Sequence, residues 1–491
     1  MAELGKHKKT VTHAVIYGAS DILGKAVGFL MLPIYTRYLT PTDYGVIEML
    51  VLSIFLIDAL LGMNMVQGVF RYFVLAKTEK DKKLVISNSF ILTTSMSVVG
   101  AMLLVANADY VSTLMLGDVK YSELLTIFSI LIITQSIGEQ GLHFVRVQQK
   151  AVLFFWLSVF KLVLQLSLNI YFVVYLEMAV EGVVYSSCIS TGVMALIGLV
   201  LLLGFAGVKF DFSVFKKLTT FSYPLWIGGA LGYYVGMVDK YFIRTNIGLD
   251  DVGLYSLGAK FSTLVAVLVW GPFAKMWESH RYEVYKEDNA IAVFRMVFVG
   301  LMLGLLFVGL GISLFSKNVI VIMANESFWS ASNIVPLLVV AAILQSVARF
   351  NYFGLFLNEK TLILSRLEFL KAVLITILLI TLIPIFGLYG AAIASVIVTF
   401  VTMVLVVRKS TDEYDMQLPW GYIIKLSAYW VFCVSLSYFM PEELVASIIS
   451  NIVILAVFVL GVIYLPFLRA NEVNSIIEYL SVKARTVFSF K

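Results

Sequence analysis

The chain is 491 residues long, 60% hydrophobic and only 14% charged, with a mean hydropathy of +0.94, where a soluble chain carries about 25% charged residues. So few charges cannot cover a water-soluble globule, and the only two cysteines, Cys188 and Cys433, lie in long apolar runs, so soluble enzymes and secreted disulfide scaffolds are both excluded. The net charge of +5 sits in short connections and not in a nucleic-acid-binding patch, and His7, His13, His143 and His280 are too scattered for a metal site.

An apolar helix needs about 20 residues to cross a hydrocarbon core of about 30 Å. In chain order, runs of that length predict spans near 13–39, 44–73, 84–106, 121–144, 151–176, 180–206, 218–245, 251–274, 290–316, 331–357, 361–385, 387–407, 420–440 and 443–467. The expectation is an all-α integral membrane protein of about 14 transmembrane helices joined by short loops, with no separate soluble domain. The apolar run after Lys9 is broken by Asp21 and Lys25, which argues against a cleavable signal peptide. Alternate connections carry twenty-three Lys and Arg on the N-terminal side of the membrane, against Arg37, Lys120, Arg244 and Lys317 on the other. Positively charged loops stay inside, so both termini are expected in the cytoplasm.

The chain repeats itself. Tyr35-Thr-Arg37 followed by Asp43-Tyr-Gly45 returns as Phe242-Ile-Arg244 followed by Asp251-Val-Gly253, 208 residues on. Gln149-Lys150, Lys161 and Gly182 return as Glu359-Lys360, Lys371 and Gly390; the lysine pairs are 210 apart and the glycines 208, a small indel. Six spans thus repeat as six in the same orientation, which predicts two pseudo-symmetric lobes, 1–208 and 209–410, with 411–491 as two added helices and a tail.

Ionisable residues inside spans mark function or pairing, since each costs about 2.5–3.5 kcal/mol at a helix centre. By depth, Lys25, Asp58, Lys161, Lys260 and Lys371 lie near the middle, whereas Glu139, Asp239, Lys240 and Arg349 lie nearer an end and can snorkel. Asp21 and Lys25, four apart, can form a local ion pair or serve a ligand. Lys161 and Lys371 can pair within each lobe or charge a cavity. Lys260 lacks an acid at i±3 or i±4 and awaits another helix or an anion, as does Arg349; Asp21, Asp58 and Asp239 are counter-ion or ion-coupling candidates. Tyr223, Tyr233 and Tyr234 can stack on sugar faces, while Trp270 and Trp277 fit an interfacial belt better. Pro33, Pro224, Pro272 and Pro336 are expected to break or bend spans. The phosphate-loop imitation Gly18-Ala-Ser-Asp-Ile-Leu-Gly24-Lys25 has the wrong spacing and no Ser or Thr after Lys. No catalytic constellation, cofactor site or metal site is evident.

Gly24-Lys25-Ala-Val-Gly28 … Pro33-Ile-Tyr-Thr-Arg37-Tyr-Leu-Thr-Pro41-Thr-Asp43-Tyr-Gly45, with Asp239-Lys-Tyr-Phe-Ile … Gly248 … Val252-Gly-Leu-Tyr255 in the second lobe, resembles the Wzx-type polysaccharide flippases of the multidrug/oligosaccharidyl-lipid/polysaccharide exporter superfamily. The resemblance implies a MATE-like fold and alternating access. It also implies a substrate, an undecaprenyl-diphosphate-linked oligosaccharide moved to the outer leaflet of the bacterial plasma membrane for O-antigen, capsule or exopolysaccharide assembly. Its implied partners are the bilayer and, in the pathway, a polysaccharide polymerase and a chain-length regulator, with the flippase itself a monomer. Lys25 and Lys260 match by span and sign the cationic cavity positions of similar flippases. Rival readings are a lipid II flippase, a cation-coupled multidrug antiporter, which would want an acidic cavity, and a membrane glycosyltransferase or ligase, which would want larger external loops.

Overall fold

The computed structural model describes residues 18, 28–61, 65–441 and 443–465, and among these every regular element is helical. The expected Asp21 and Lys25 of the first span lie outside the described residues. In order the helices are α1 Leu32–Tyr38, α2 Pro41–Leu61, α3 Val66–Leu75, α4 Glu79–Ala106, α5 Ala108–Leu116, α6 Ser122–Phe128, α7 Ile130–Val147, α8 Ala151–Asn169, α9 Ala179–Ala206, α10 Phe212–Asn246, α11 Leu249–Val265, α12 Gly271–Val284, α13 Ala290–Met323, α14 Val335–Leu357, α15 Thr361–Phe386, α16 Leu388–Glu413, α17 Trp420–Ser437 and α18 Leu444–Tyr464.

Among the described residues, ten helical stretches are long and apolar enough to cross a membrane. Most of the first expected span is not described. Helices α2, α10 and α17 cover three other expected spans outside those ten. Pro33, Pro272 and Pro336 occupy the first turns of α1, α12 and α14; Pro272 follows a π-helical stretch, Ala266–Trp270, that joins α11 to α12, and Pro336 follows a 3-10 stretch, Glu326–Ile334, so the regular helix is interrupted just before each. Pro224 lies within α10 and does not end it, so of the expected break or bend it makes no break.

The sequence repeat is a repeat of geometry. Gln149 and Glu359, 210 apart, both adopt positive φ, 58° and 56°. Gly182 packs on the backbone of Phe172 and Gly390 on that of Leu382, again 210 apart. Glu177 and Gly387 are matched positive-φ positions at the preceding turn, so the two-residue difference falls between this turn and the glycine. Here a side chain on either glycine would press into a neighbouring helix, which is why the residue recurs.

Two compact units meet between Ser256 and Leu257, within α11. In the first, α2 and the start of α11 cross so closely that a Cβ on Gly45 would collide with the Leu249 carbonyl and one on Gly253 with that of Pro41. Pro41 and Leu249 are themselves 208 apart, and Thr42 donates a hydrogen bond to Asp250, also 208 on. The loop before α10 is bolted to α4: Lys209 N–H donates to Ser87 Oγ at 2.6 Å and Asp211 N–H to Asn88 Oδ1 at 3.1 Å. Asp211 caps α10, and the Ser213 hydroxyl and backbone N–H groups it accepts from hold its carboxyl below the usual range.

In the second unit α17 and α18 attach to α13 through buried polar bonds. Trp430 Nε1 donates to the Leu306 carbonyl at 2.9 Å, and Asn451 Nδ2 reaches the Leu314 carbonyl and Asn318 Oδ1 at 2.8 and 2.9 Å. Trp270 and Trp277 are buried, and Trp277 stacks on Phe350 at 6.1 Å and meets Phe294 edge-on. They form aromatic core, not the interfacial belt expected of them.

Candidate functional site

Helix α7 carries polar residues at a spacing of four: Gln135, Glu139 and His143, with Ser136 and Gln140 alongside. Such residues share one helical face. The opposite face must be apolar and close-fitting, and it is: Gly138 lies against Met194, while Gly141 and Gly198 approach until a Cβ on either would sit 2.6–2.7 Å from the other helix. This contact seats α7 on α9 and turns the polar face toward a cavity of about 280 Å³ inside the first unit.

The cavity is lined by Phe55 from α2, Val66 and Val69 from α3, Ser89 and Thr93 from α4, the α7 polar face, Leu202 from α9 and Tyr233 from α10. Tyr233 stacks on Phe55, centroids 5.9 Å apart and planes 21° apart. Among the described residues Gln140 Nε2 and His143 Nδ1 have no hydrogen-bond partner. Glu139 is shared with a smaller void behind, where Lys161 Nζ meets it at 2.8 Å. Lys161 begins a second stripe of period four on α8, with Gln165 and Asn169. Gln165 accepts from Ser190, and Asn169 accepts from Ser186 at 2.6 Å, which ties this otherwise lipid-facing helix to α9.

A second polar cluster lies beside the Gly45–Gly253 crossing. Lys240 Nζ and Glu48 Oε2 are 2.6 Å apart, their side chains only 12% and 10% exposed, and the Asp239 carboxyl accepts from Tyr255. Lys240 therefore turns inward and does not snorkel. In the second unit Lys371 pairs with Glu368 one turn back at 3.0 Å, and Arg349 lies on α14 near Tyr352. Among the described residues no acidic side chain forms an ion pair with Arg349. Lys260 is half-buried on α11, and its carbonyl accepts from Thr263.

Of the expected sugar-stacking residues, Tyr233 is in the cavity, Tyr223 lies against Trp226 at 5.7 Å, and Tyr234 is half-buried on the same helix. Asp58 is in α2. Glu48, Glu368, Gln135, Gln140 and His143 carry no role expected from sequence. The polar face of α7 was the available signal for Gln135, Gln140 and His143; the partners of Glu48 and Glu368 needed the fold.

The family model described as "Polysaccharide biosynthesis protein" matches residues 34–293, over half of the chain. The protein belongs to this polysaccharide biosynthesis family. No curated protein matches the chain. Solved structures share the fold of this family member at low identity. An inward-closed structure of the lipid II flippase MurJ superposes with a TM-score of 0.66 at 15% identity, covering 94% of this chain and all of that one. An inward-facing multidrug resistance MATE family transporter gives 0.61 at 17%, covering 79% and 94%. A transporter of the same superfamily from Pyrococcus furiosus, described as having a binding pocket of reversed polarity, gives 0.58 at 18%, covering 81% and 94%. The chain is thus a multi-pass membrane protein with the MATE-like and MurJ-like fold of that superfamily.

Proposed function

We propose that this polysaccharide biosynthesis family member is a flippase that carries an undecaprenyl-diphosphate-linked oligosaccharide from the cytoplasmic to the outer leaflet of the bacterial plasma membrane, its termini cytoplasmic. The family match over residues 34–293 carries the reading. A diphosphate with many hydroxyls cannot cross hydrocarbon unaided, and polar, cavity-lining helices inside an apolar chain are what such a load requires. Lys25, Lys260 and Arg349 are the cations assigned to the diphosphate, the lysines acting as point charges and Arg349 as a bidentate fork. Lys161 and Lys371 answer acids of their own lobes, Glu139 and Glu368, and support the helices that line the path. Asp21, Asp58 and Asp239 are the acidic groups available as counter-ions or for ion coupling. The two repeats, 1–208 and 209–410, rock about a shared axis, and the protein works as a monomer that hands its load to a polymerase and chain-length regulator.

Deletion of the gene in its native host tests this. The expected result is viable cells that lack one surface polysaccharide and accumulate its lipid-linked repeat unit, rescued by the wild-type gene and poorly by Lys260→Ala. Lysis with lipid II accumulation would instead assign the peptidoglycan precursor, the substrate of the structural neighbour MurJ. Unchanged glycans with altered drug sensitivity would reject the reading.

A further inference from the structure

We infer that the cavity of the first unit is the subsite for the uncharged sugars of the transported lipid, and that its diphosphate is held elsewhere. The inference rests on the flippase reading above. Its size is the first argument: about 280 Å³ corresponds to roughly nine waters at about 30 Å³ each, room for a pyranose ring and its hydroxyls and far more than an ion needs. Its chemistry is the second. Gln135, Gln140, Ser136, Ser89, Thr93 and His143 supply amide, hydroxyl and imidazole groups of the kind that bind hydroxyls, and Tyr233 on Phe55 offers an aromatic face for the C–H side of a sugar ring. Among the described residues Gln140 Nε2 and His143 Nδ1 have no partner.

Charge is the third argument. Among the described lining residues Glu139 is the one carboxylate, already answered by Lys161 at 2.8 Å, and no lysine or arginine is there to hold an anion, His143 being the one basic side chain. Arg146 stands one turn away over the Phe70 ring and is not in the lining. Among the described residues no three His, Cys, Asp or Glu side chains gather to hold a metal ion.

The repeat supplies an independent observation. Helices α7 and α14 end at Val147 and Leu357, 210 residues apart. In that register Gln135-Ser136 is answered by Gln345-Ser346, but Glu139 is answered by Arg349. One helical position thus carries a carboxylate in the first repeat and a guanidinium in the second. Two repeats of one fold have taken opposite charge at the same place, which suits a load with a neutral, hydroxylated end and an anionic one.

Two lipids distinguish the parts: the native lipid-linked repeat unit, extracted from the deletion strain, and bare undecaprenyl diphosphate. Binding of each to full-length protein in nanodiscs is compared for wild type, Gln135→Ala, Gln140→Ala, Tyr233→Ala and the milder Gln140→Asn. The expected result is a five- to tenfold loss of affinity for the glycan-bearing lipid in the cavity variants, the scale of one or two neutral hydrogen bonds, with the bare lipid unaffected. Arg349→Ala should weaken both lipids. Equal weakening of both lipids by the cavity variants, or no weakening by any well-folded one, overturns the inference. So does a loss confined to sodium or proton dependence, which would make the cavity a cation site. Wild-type protein that binds neither lipid overturns the flippase reading itself, and the subsite with it.

Discussion

Two ion pairs in the first unit differ in burial, and their variants should differ accordingly. Glu48–Lys240 is almost wholly removed from solvent, whereas Glu139 and Lys161 stay 40% and 34% exposed. Removing one partner of a buried pair strands the other charge, at a cost of about 3–5 kcal/mol. Glu48→Gln should therefore lower the thermal midpoint in detergent strongly, and Glu139→Gln by less, about 1–2 kcal/mol after allowance for exposure. Lys161→Met added to Glu139→Gln should restore most of the loss, because the apolar chain no longer carries a charge into the membrane. Additive losses in that double variant would mean the pair does not act as a pair. At this scale the sequence was only half legible. Lys161, Lys371 and Arg349 stand out as charges in apolar runs, but nothing in the local sequence links Lys161 to Glu139, 22 residues earlier, or Lys240 to Glu48, 192 earlier.

Helix packing separates glycines that a helix needs from those it merely contains. A Cβ on Gly141 would sit 2.6 Å from the Gly198 backbone, whereas Gly192, on the same partner helix α9, has nothing within 4 Å. Gly141→Ala should push α7 from α9 and lower the midpoint. Gly192→Ala should raise it slightly, since alanine in an open helical position gains about 0.5–1 kcal/mol over glycine. The same sign for both would contradict the packing described. Elements were the most legible level, because twenty apolar residues in a row have few alternatives in a membrane. Polar residues of the spans α2 and α10 are used inside the protein, where Glu48 and Lys240 pair with each other. The turn chemistry was legible only through the repeat: positive φ at Gln149 and Glu359 is hidden in residues that do not announce it.

Across the whole chain the repeat was visible in a few short motifs because glycine, at a crossing where backbones touch, has no substitute. Gly45 and Gly253 mark the reciprocal contact of α2 and α11, with Thr42 bonded to Asp250 beside it. The sugar cavity was not visible, since it is defined by six helices and its polar residues read singly as ordinary. The proposed alternating access predicts that the α2–α11 crossing opens in each transport cycle. Cysteines at Thr42 and Asp250 joined by a short bis-thiol reagent should therefore stop transport, and cleavage of a reducible version should restore it; full transport while joined would show that the crossing does not gate. The central claim is that this protein moves lipid-linked glycan between leaflets. Its most direct test is reconstitution in vesicles with an undecaprenyl diphosphate glycan that carries a fluorophore on its sugar, bleached by an impermeant reductant. Bleaching of the inner-leaflet pool in vesicles with wild-type protein, slowed in those with Lys260→Ala or Arg349→Ala, is the predicted result; an inner pool as protected as in protein-free vesicles would contradict it.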